Sequence, residues 1–567
     1  MILESHPSRK NLYMLMCVLG LLFFTFTLFY YTLEIREPWR VEELSGGGKQ
    51  WLTGSTLEFS KEWYHEGPIN IHLGMFEYPA SVEFPTLKSR SPYTSYPPGA
   101  IIPIYVLSKI REKEPTISMI MKYNLVNHFL IAFFLSILVF FFLSRQIEVD
   151  LINSALFATI PILFELLMPG TLYWHQNVFF SDQAVILPFV LFIFLEVLRF
   201  ASSKRVIFIL SILQALVMFY GVLTDWLFIP IVSTVYLKRI INNEIKIRGD
   251  IHRFLLKTLY FWAPVLIVGV LFLLQIYSLE NFDRTIHAFS VRASLSSSSE
   301  YTGTLTLNRF LETFSDHLTE SFGYFAHIML VIILLLMLIF SCYLVIKYFK
   351  AHKTNDKLKD TLLLSWMLLL PCIIQIFLFK NHSFVHEFSV LKFSVPLSII
   401  PFVIIPVLIY QLFEDPGVPK KFLLIGKNKL NLKLLVICLV ALLLTGTTIA
   451  SSDQLSMFPS PNKNYTVLGG IIHKHTNYYD VVFSPDFEIK SLPPQQISLS
   501  MKPVYKIQSI SDIKEKTKDI KGNYNIMIVF SGPPSSYWTP FLENATSKRV
   551  KNYYFYRISP NILKNYN

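Results

Sequence analysis

Cysteine is almost missing from this 567-residue chain, and the four that occur, Cys17, Cys342, Cys372 and Cys438, all sit inside apolar stretches. That placement excludes a disulfide framework and a thiolate zinc centre, so any outer domain has to fold without crosslinks. Charge is scarce too, at 16% of residues against roughly 25% in an ordinary soluble domain, which excludes a water-soluble globule as the bulk of the chain. Acidic residues are the rarer sign, 39 against 51 basic, for a net charge of +12. In a soluble protein that excess would point to nucleic acid. Here the cations gather at the ends of apolar runs, where membrane lipids are the simpler partner, and nucleic acid is not expected. No internal repeat is visible, and the one low-complexity tract is the serine-rich Ser294–Ser299.

Apolar length is what the chain has in abundance. Hydrophobic residues make up 52% of it, aromatics 15%, and the mean hydropathy is +0.45. About eleven stretches approach the length needed to cross a hydrocarbon core of roughly 30 Å. They are Leu12–Leu33, Ile117–Leu143, Leu151–Met168, Ala184–Val197, Val206–Leu223, Trp226–Leu237, Thr258–Leu279, Phe325–Ile346, Thr361–Phe379, Val390–Phe413 and Leu434–Ala450. Trp226–Leu237 is too short to cross alone, so Val206–Leu237 reads as a tight hairpin or one broken helix. The first run is longer than the apolar core of a secretory signal and no small-residue cleavage site follows, so it is expected as a retained helix.

Lysine and arginine resist translocation, so their positions set the orientation. With the amino terminus inside, inner loops collect Arg9/Lys10, Arg145, Lys204/Arg205, the cluster from Lys238 to Lys257, that from Lys347 to Lys359 and that from Lys420 to Lys433. This places Glu34–Gly99, the Tyr173–Gln183 turn, Glu280–Tyr324, Lys380–Ser389 and everything after Ser451 outside. The expectation is a mainly α, multi-pass protein of a plasma or ER-type membrane, with residues 1–450 as the membrane domain and 451–567 as a small outer α/β domain. Within the membrane domain, 34–99 and 280–324 form the large outer loops. In the outer domain Asp480–Phe483, Val504–Ile507, Asn525–Phe530 and Tyr554–Ile558 read as strands, and Ser511–Ile520 as an exposed amphipathic helix.

The loop after the first span needs an explanation. Leu52–Tyr64 carries apolar and aromatic residues at helical spacing before a Gly67-Pro68 stop, and reads as a helix lying along the interface with its aromatics at headgroup depth. Proline then forbids regular structure until Ser91-Pro92-Tyr93-Thr94-Ser95-Tyr96-Pro97-Pro98-Gly99, after which Gly99–Ile110 is apolar but too short to span, a second interfacial helix. This order of parts resembles the polytopic GT-C glycosyltransferases, particularly the dolichyl-phosphate-mannose protein mannosyltransferases and the bacterial aminoarabinose transferases. Two more elements are similar: the turn Trp174–Asp182, ending in an aspartate, and His382-Ser383-Phe384-Val385-His386-Glu387-Phe388 ahead of a helix with Pro396 and Pro401.

The resemblance implies a GT-C-like helical bundle that transfers a sugar from a polyprenyl-phosphate donor to a lipid, glycan or protein acceptor at the outer face. Inverting transfer needs a carboxylate to take the acceptor's proton, cations for the departing phosphate and an apolar groove for the prenyl tail. The family's acid opens the first loop helix, but Gly48–Thr53 at that register holds no carboxylate. The nearest acids are Glu37, Glu42, Glu43 and Glu58, of which Glu42 or Glu43 is preferred as base, with Asp182 third. Arg90, Lys392 and Arg292 are the candidates for phosphate, with Arg284 as a further loop cation. Tyr93, Tyr96, His175, His386 and Glu387 are candidates for the substrate pocket. No cofactor is expected, although His175, His382 and His386 with Asp182 and Glu387 leave a divalent cation open. Asp225, an acid at a break between short helices, is a further site candidate. The competing readings are a transporter or flippase of a lipid-linked or polar substrate, and a non-catalytic protein of envelope-polysaccharide assembly, which the missing loop acid keeps open.

Overall fold

The computed structural model describes residues 7–40, 44, 50–199, 202–245, 251–294, 305–323, 325–349, 356–408, 467–489, 497–521 and 523–565. Among these, eight helices are long and apolar enough to cross a bilayer. The elements of the membrane domain are α1 (Pro7–Ile35), α2 (Trp51–Glu66), α3 (Ile102–Arg111), α4 (Ile117–Phe141), α5 (Leu151–Leu167), α6 (Pro169–Asn177), α7 (Ser181–Ala184), α8 (Ile186–Arg199), α9 (Lys204–Thr224), α10 (Phe228–Ile241), α11 (Ile251–Ser278), α12 (Phe282–Arg292), α13 (Leu307–Phe322), α14 (Phe325–Phe349), α15 (Asp356–Leu378), α16 (Lys380–Val385) and α17 (Ser394–Ile399).

The count differs from the expected eleven for physical reasons. Helix α10 has 14 residues, short of the roughly 20 a crossing requires. A bend of 58° separates α5 from α6, and the two make a ninth crossing only if counted together. The bend falls at Met168, which the following Pro169 holds in an extended conformation. Leu434–Ala450, with Cys438, lies outside the described residues, as does nearly all of the serine tract. The supposed outer turn at Tyr173–Gln183 comprises the end of helix α6, a three-residue connection and the start of α7, all of it buried.

Burial separates inner from outer helices. In the spans Ser181–Arg199 and Glu387–Leu408, 83% of the apolar window is covered by protein, against 17% in Lys10–Ile35 and 22% in Ile251–Ser278. The inner pair carries buried Asp182 and Lys392, while α1 and α11 present apolar faces outward, as lipid contact requires.

Helix α2 departs from the expected interfacial position. Leu52 to Trp63 are buried all round, because α2 is covered by the carboxy-terminal domain as well as by α3 and α4: Lys61 Nζ donates to the Ser498 carbonyl at 3.3 Å, and Tyr478 donates to the Ser81 carbonyl at 3.3 Å. Gly67 ends the helix at φ +83°, a conformation glycine tolerates best.

The carboxy-terminal domain is a five-stranded sheet, β1 (Asp480–Ser484), β2 (Val504–Lys506), β3 (Asn525–Phe530), β4 (Thr546–Val550) and β5 (Tyr553–Ile558), in the order β2-β1-β3-β5-β4. The first three strands run parallel and β5 pairs antiparallel with β3, Ile528 opposite Tyr556. Alternate residues feed two cores: Phe483, Ile528 and Trp538 on one face, Val482, Val529 and Phe555 on the other.

Candidate active site

Proline-rich sequence delivers Tyr93 to Gly99 into the bundle instead of along its surface. A Cβ at Gly99 would stand 2.4 Å from the Leu223 carbonyl oxygen, so only glycine lets the loop sit on the end of α9. The Trp226 indole donates to the Ser95 carbonyl at 3.1 Å and fastens the loop to the break between α9 and α10. At that break Asp225 is extended (φ −155°, ψ 146°), and its Oδ1 accepts from the Leu227 amide at 2.6 Å.

From Asp225 a buried polar chain crosses the interior. Gln375 Nε2 donates to Asp225 Oδ1 at 2.9 Å, and Lys392 Nζ donates to Gln375 Oε1 at 2.5 Å and to Asp182 Oδ1 at 3.3 Å. Lysine only donates, so the amide orientation of Gln375 is fixed by it. Asp182 Oδ2 lies 3.9 Å from His382 Nε2, which is 3.3 Å from the Tyr96 hydroxyl. Asp182, Lys392, Gln375 and Asp225 are all buried. Burial, with Arg292 and Lys392 adding to it, holds the His382 imidazole well below its ordinary range, so it is neutral. Burial and the Asp182 and Asp225 carboxylates push the Tyr96 phenol up, so it keeps its proton. Burial likewise pushes the Asp225 carboxyl up, against the pull of Lys392.

The Arg292 guanidinium sits 5.1 Å over the Tyr96 ring and hydrogen-bonds Tyr93. Tyr93 stacks on Phe59 at 5.7 Å, and Phe180 stands edge-on to both tyrosines. Tyr96 and Arg292 also line an apolar cavity of about 280 Å³ with Thr94, Trp226, Phe272 and Phe289. One wall, α12, lines it with Phe282 and Ile286, both of which are also exposed. The polar chain thus adjoins a small apolar cavity through one arginine and one tyrosine.

Several expected site residues converge here: Asp182, Lys392, Arg292, Tyr93 and Tyr96, with Asp225. His386 stands nearby, its ring 4.6 Å from that of His382, 5.0 Å from Phe388 and 6.0 Å from Trp51, and Glu387 follows it in the chain. Glu42 and Glu43 lie outside the described residues. Arg90 is elsewhere and clamped by two carboxylates: its Nε donates to the Tyr78 carbonyl, Nη1 to Glu66, and Nη2 to Glu62 and Glu66, with Phe76 beneath it at 4.2 Å. Burial disfavours that cation, but Glu62 and Glu66 outweigh it and raise its proton affinity. Arg284 is paired with Glu77 at 2.7 Å and with Ser91.

His175 belongs to another cluster. Its ring stacks on His128 at 4.4 Å, and the Glu165 carboxylate lies 3.6 Å from His128 Nε2 and 3.9 Å from His175 Nε2. Among the described residues this is the one His/Glu group compact enough to suggest a metal, but the donor set does not fit. Arg36 Nη2, which can only donate, lies 2.8 Å from His128 Nδ1, so that nitrogen accepts and Nε2 carries the proton it donates to the Glu165 backbone carbonyl at 2.8 Å. Neither His128 nitrogen keeps a lone pair for a cation. Sequence reasoning missed this cluster and Gln375, although a polar residue inside an apolar run is itself a signal.

No family model matches the sequence, and no curated protein does. The fold has counterparts. ArnT from Cupriavidus metallidurans bound to undecaprenyl phosphate is 11% identical, with 96% of this chain and 98% of that one covered at a TM-score of 0.50. The oligosaccharyltransferase AglB from Archaeoglobus fulgidus, in complex with an inhibitory peptide and a dolichol-phosphate, is 11% identical over 90% of this chain and 69% of that one, at a TM-score of 0.46. The arabinosyltransferase EmbB from Mycobacterium smegmatis is 9% identical over 80% of this chain and 42% of that one, at a TM-score of 0.34. The fold is the GT-C fold; identity this low carries nothing about individual residues.

Proposed function

We propose that this protein is a membrane glycosyltransferase that moves a sugar from a polyprenyl-phosphate carrier to an acceptor hydroxyl on the membrane face bearing the carboxy-terminal domain. The observation that carries the reading is the buried chain Asp182–Lys392–Gln375–Asp225 meeting an apolar cavity at Tyr96 and Arg292. Apolar space beside unsaturated cations suits a lipid phosphate, and ArnT, which shares the fold, was solved with undecaprenyl phosphate. The polar groups gather at helix ends, unlike the paired broken helices of a midplane transport site.

In the proposed reaction Asp182 takes the proton of the acceptor hydroxyl while the acceptor oxygen bonds to the anomeric carbon. The bond from that carbon to the phosphate oxygen breaks, and the phosphate leaves with the electron pair. Arg292 and the third N–H of Lys392 hold the charge that develops on it. A single displacement of this kind inverts the anomeric centre. Tyr96 and neutral His382 orient the reacting groups. Glu42 and Glu43 remain the other proposed bases, and the double variant E42Q/E43Q separates the two assignments: retained transfer favours Asp182, abolished transfer favours the loop acids.

Purified protein incubated with a panel of polyprenyl-phosphate sugars and an acceptor extract tests the reading by mass spectrometry. The expected result is consumption of one donor with release of free polyprenyl phosphate. No donor consumed, together with passage of a labelled lipid-linked sugar across proteoliposomes, would overturn it in favour of transport.

A further inference from the structure

At the ends of α8 to α11 remote from Asp182, a second polar site is built. At about 1.5 Å per residue, the run from Asp182 through α8 to Arg199 covers roughly 25 Å, so Arg199 stands toward the opposite side of the hydrocarbon core from the proposed catalytic chain. Glu196 is completely buried there, accepting from Arg239 Nη2 at 2.5 Å and Lys238 Nζ at 2.8 Å, with Arg199 Nε at 3.7 Å. Glu244 accepts from Lys238 at 3.2 Å and lies 3.8 Å from Arg199 Nη2. Lys257 Nζ donates to the Glu244 backbone carbonyl at 3.2 Å. Arg239 also donates to Gln214 at 2.6 Å and Arg199 to Ser211. On α15 the nearest acid, Asp360, accepts from Asn242 at 3.2 Å and has Lys359 beside it.

Four cations, Arg199, Lys238, Arg239 and Lys257, therefore face two carboxylates, Glu196 and Glu244. Two positive charges are left over, and the buried Arg199 Nε has no hydrogen-bond acceptor. Arg199, Arg239 and Lys257 border a cavity of about 370 Å³, which Glu244 also lines and whose other walls include Gln214, Met218, Tyr260 and Phe261. The cavity opens between α9 and α11, beside the outward apolar faces that carry Phe208, Leu213, Leu216, Leu256 and Leu259. A ligand suited to it has a phosphate that answers the surplus charge and acyl chains that cover those faces.

We propose that this cavity binds the headgroup of an anionic phospholipid from the leaflet opposite the carboxy-terminal domain. A zwitterionic lipid brings the same phosphate, but its quaternary ammonium meets the surplus positive charge and is disfavoured. The site is independent of sugar transfer and rests only on the chain spanning a membrane.

Delipidated protein in neutral detergent, titrated with dioleoyl phosphatidylglycerol, dioleoyl phosphatidylcholine or inorganic phosphate, tests the proposal through the unfolding temperature and through native mass spectrometry of retained lipid. Phosphatidylglycerol should raise the unfolding temperature saturably, and phosphatidylcholine should not. Lys257, exposed and bonded only to a backbone carbonyl, can be changed without disturbing the buried network. K257Q should keep the lipid-free unfolding temperature and weaken phosphatidylglycerol binding about fivefold, and R199Q should weaken it further. Equal response to the two lipids, or K257Q binding like the parent, would overturn the site. A matching response to inorganic phosphate alone would overturn the lipid assignment.

Discussion

Two buried cations in this protein, Arg90 and Lys392, look alike in sequence, each a positive residue near the outer end of the membrane domain. Arg90 has given four hydrogen bonds to Glu62, Glu66 and Tyr78, and the 590 Å³ cavity beside it under the carboxy-terminal domain meets a guanidinium already neutralised. Lys392 donates two bonds, to Asp182 and Gln375, keeps a third N–H, and has Arg292 close by. Burial of a cation does not mark a phosphate site. In the proposed reaction the mark is a cation that no pair of carboxylates has claimed, standing close to an apolar space.

The contrast can be broken at four points. Asp182→Asn removes the proposed base but keeps an acceptor for Lys392, and should lower kcat by about 10² to 10⁴-fold with little change in donor KM, measured by donor consumption. Arg90→Ala should leave Glu62 buried without its partner and cost on the order of 3–5 kcal/mol of stability, read from denaturant unfolding; a variant as stable as the parent with weakened donor binding would reverse the roles of the two cations. Arg292→Gln should raise the donor KM about tenfold by removing one charged hydrogen bond to phosphate, with the unfolding midpoint unchanged.

The smallest effect concerns pH. Glu83, half-buried against Tyr505 where the loop meets the carboxy-terminal domain, has its carboxyl pushed up to about 7 by partial desolvation, from 4.5. Its raised value means that the neutral form is the one the fold favours. That contribution is complete below 4.5 and disappears as pH rises through about 7. The unfolding free energy should therefore fall over this range, by on the order of 1 kcal/mol, and Glu83→Gln should flatten the profile. Lys502, lowered to about 8 by burial, acts in a separate window, where stability rises as pH climbs from there toward 10.5.

Much of the scaffold was legible because apolar length and turn chemistry are local. The loop helix, the Pro-Pro-Gly entry and four of the five strands lie within a few residues of their expected positions. The fifth, β4, reads Thr-Ser-Lys-Arg-Val and is almost wholly exposed, so no buried alternation announces it. Convergence of Asp182, Lys392, Arg292 and Tyr96 was legible only as shared topology. What the sequence hid was partnership at a distance: Glu62 and Glu66 claim Arg90 from the far side of a proline-rich loop, and Arg36 fixes the His128 tautomer from the end of α1, turning His175 and its neighbours into a packed hydrogen-bond network. Burial of α2 also escaped, since an amphipathic pattern does not say whether lipid or a second domain covers it.

Because the backbone at Gly99 rests directly on the Leu223 carbonyl, loop and helix break must travel as one piece, and a methyl group there would wedge them apart. The cavity beside them has α12 as one wall, where Phe282 and Ile286 are exposed. In the proposed reaction the greasy carrier glides in sideways from the bilayer, while the acceptor descends from water, so the two reactants never compete for one doorway.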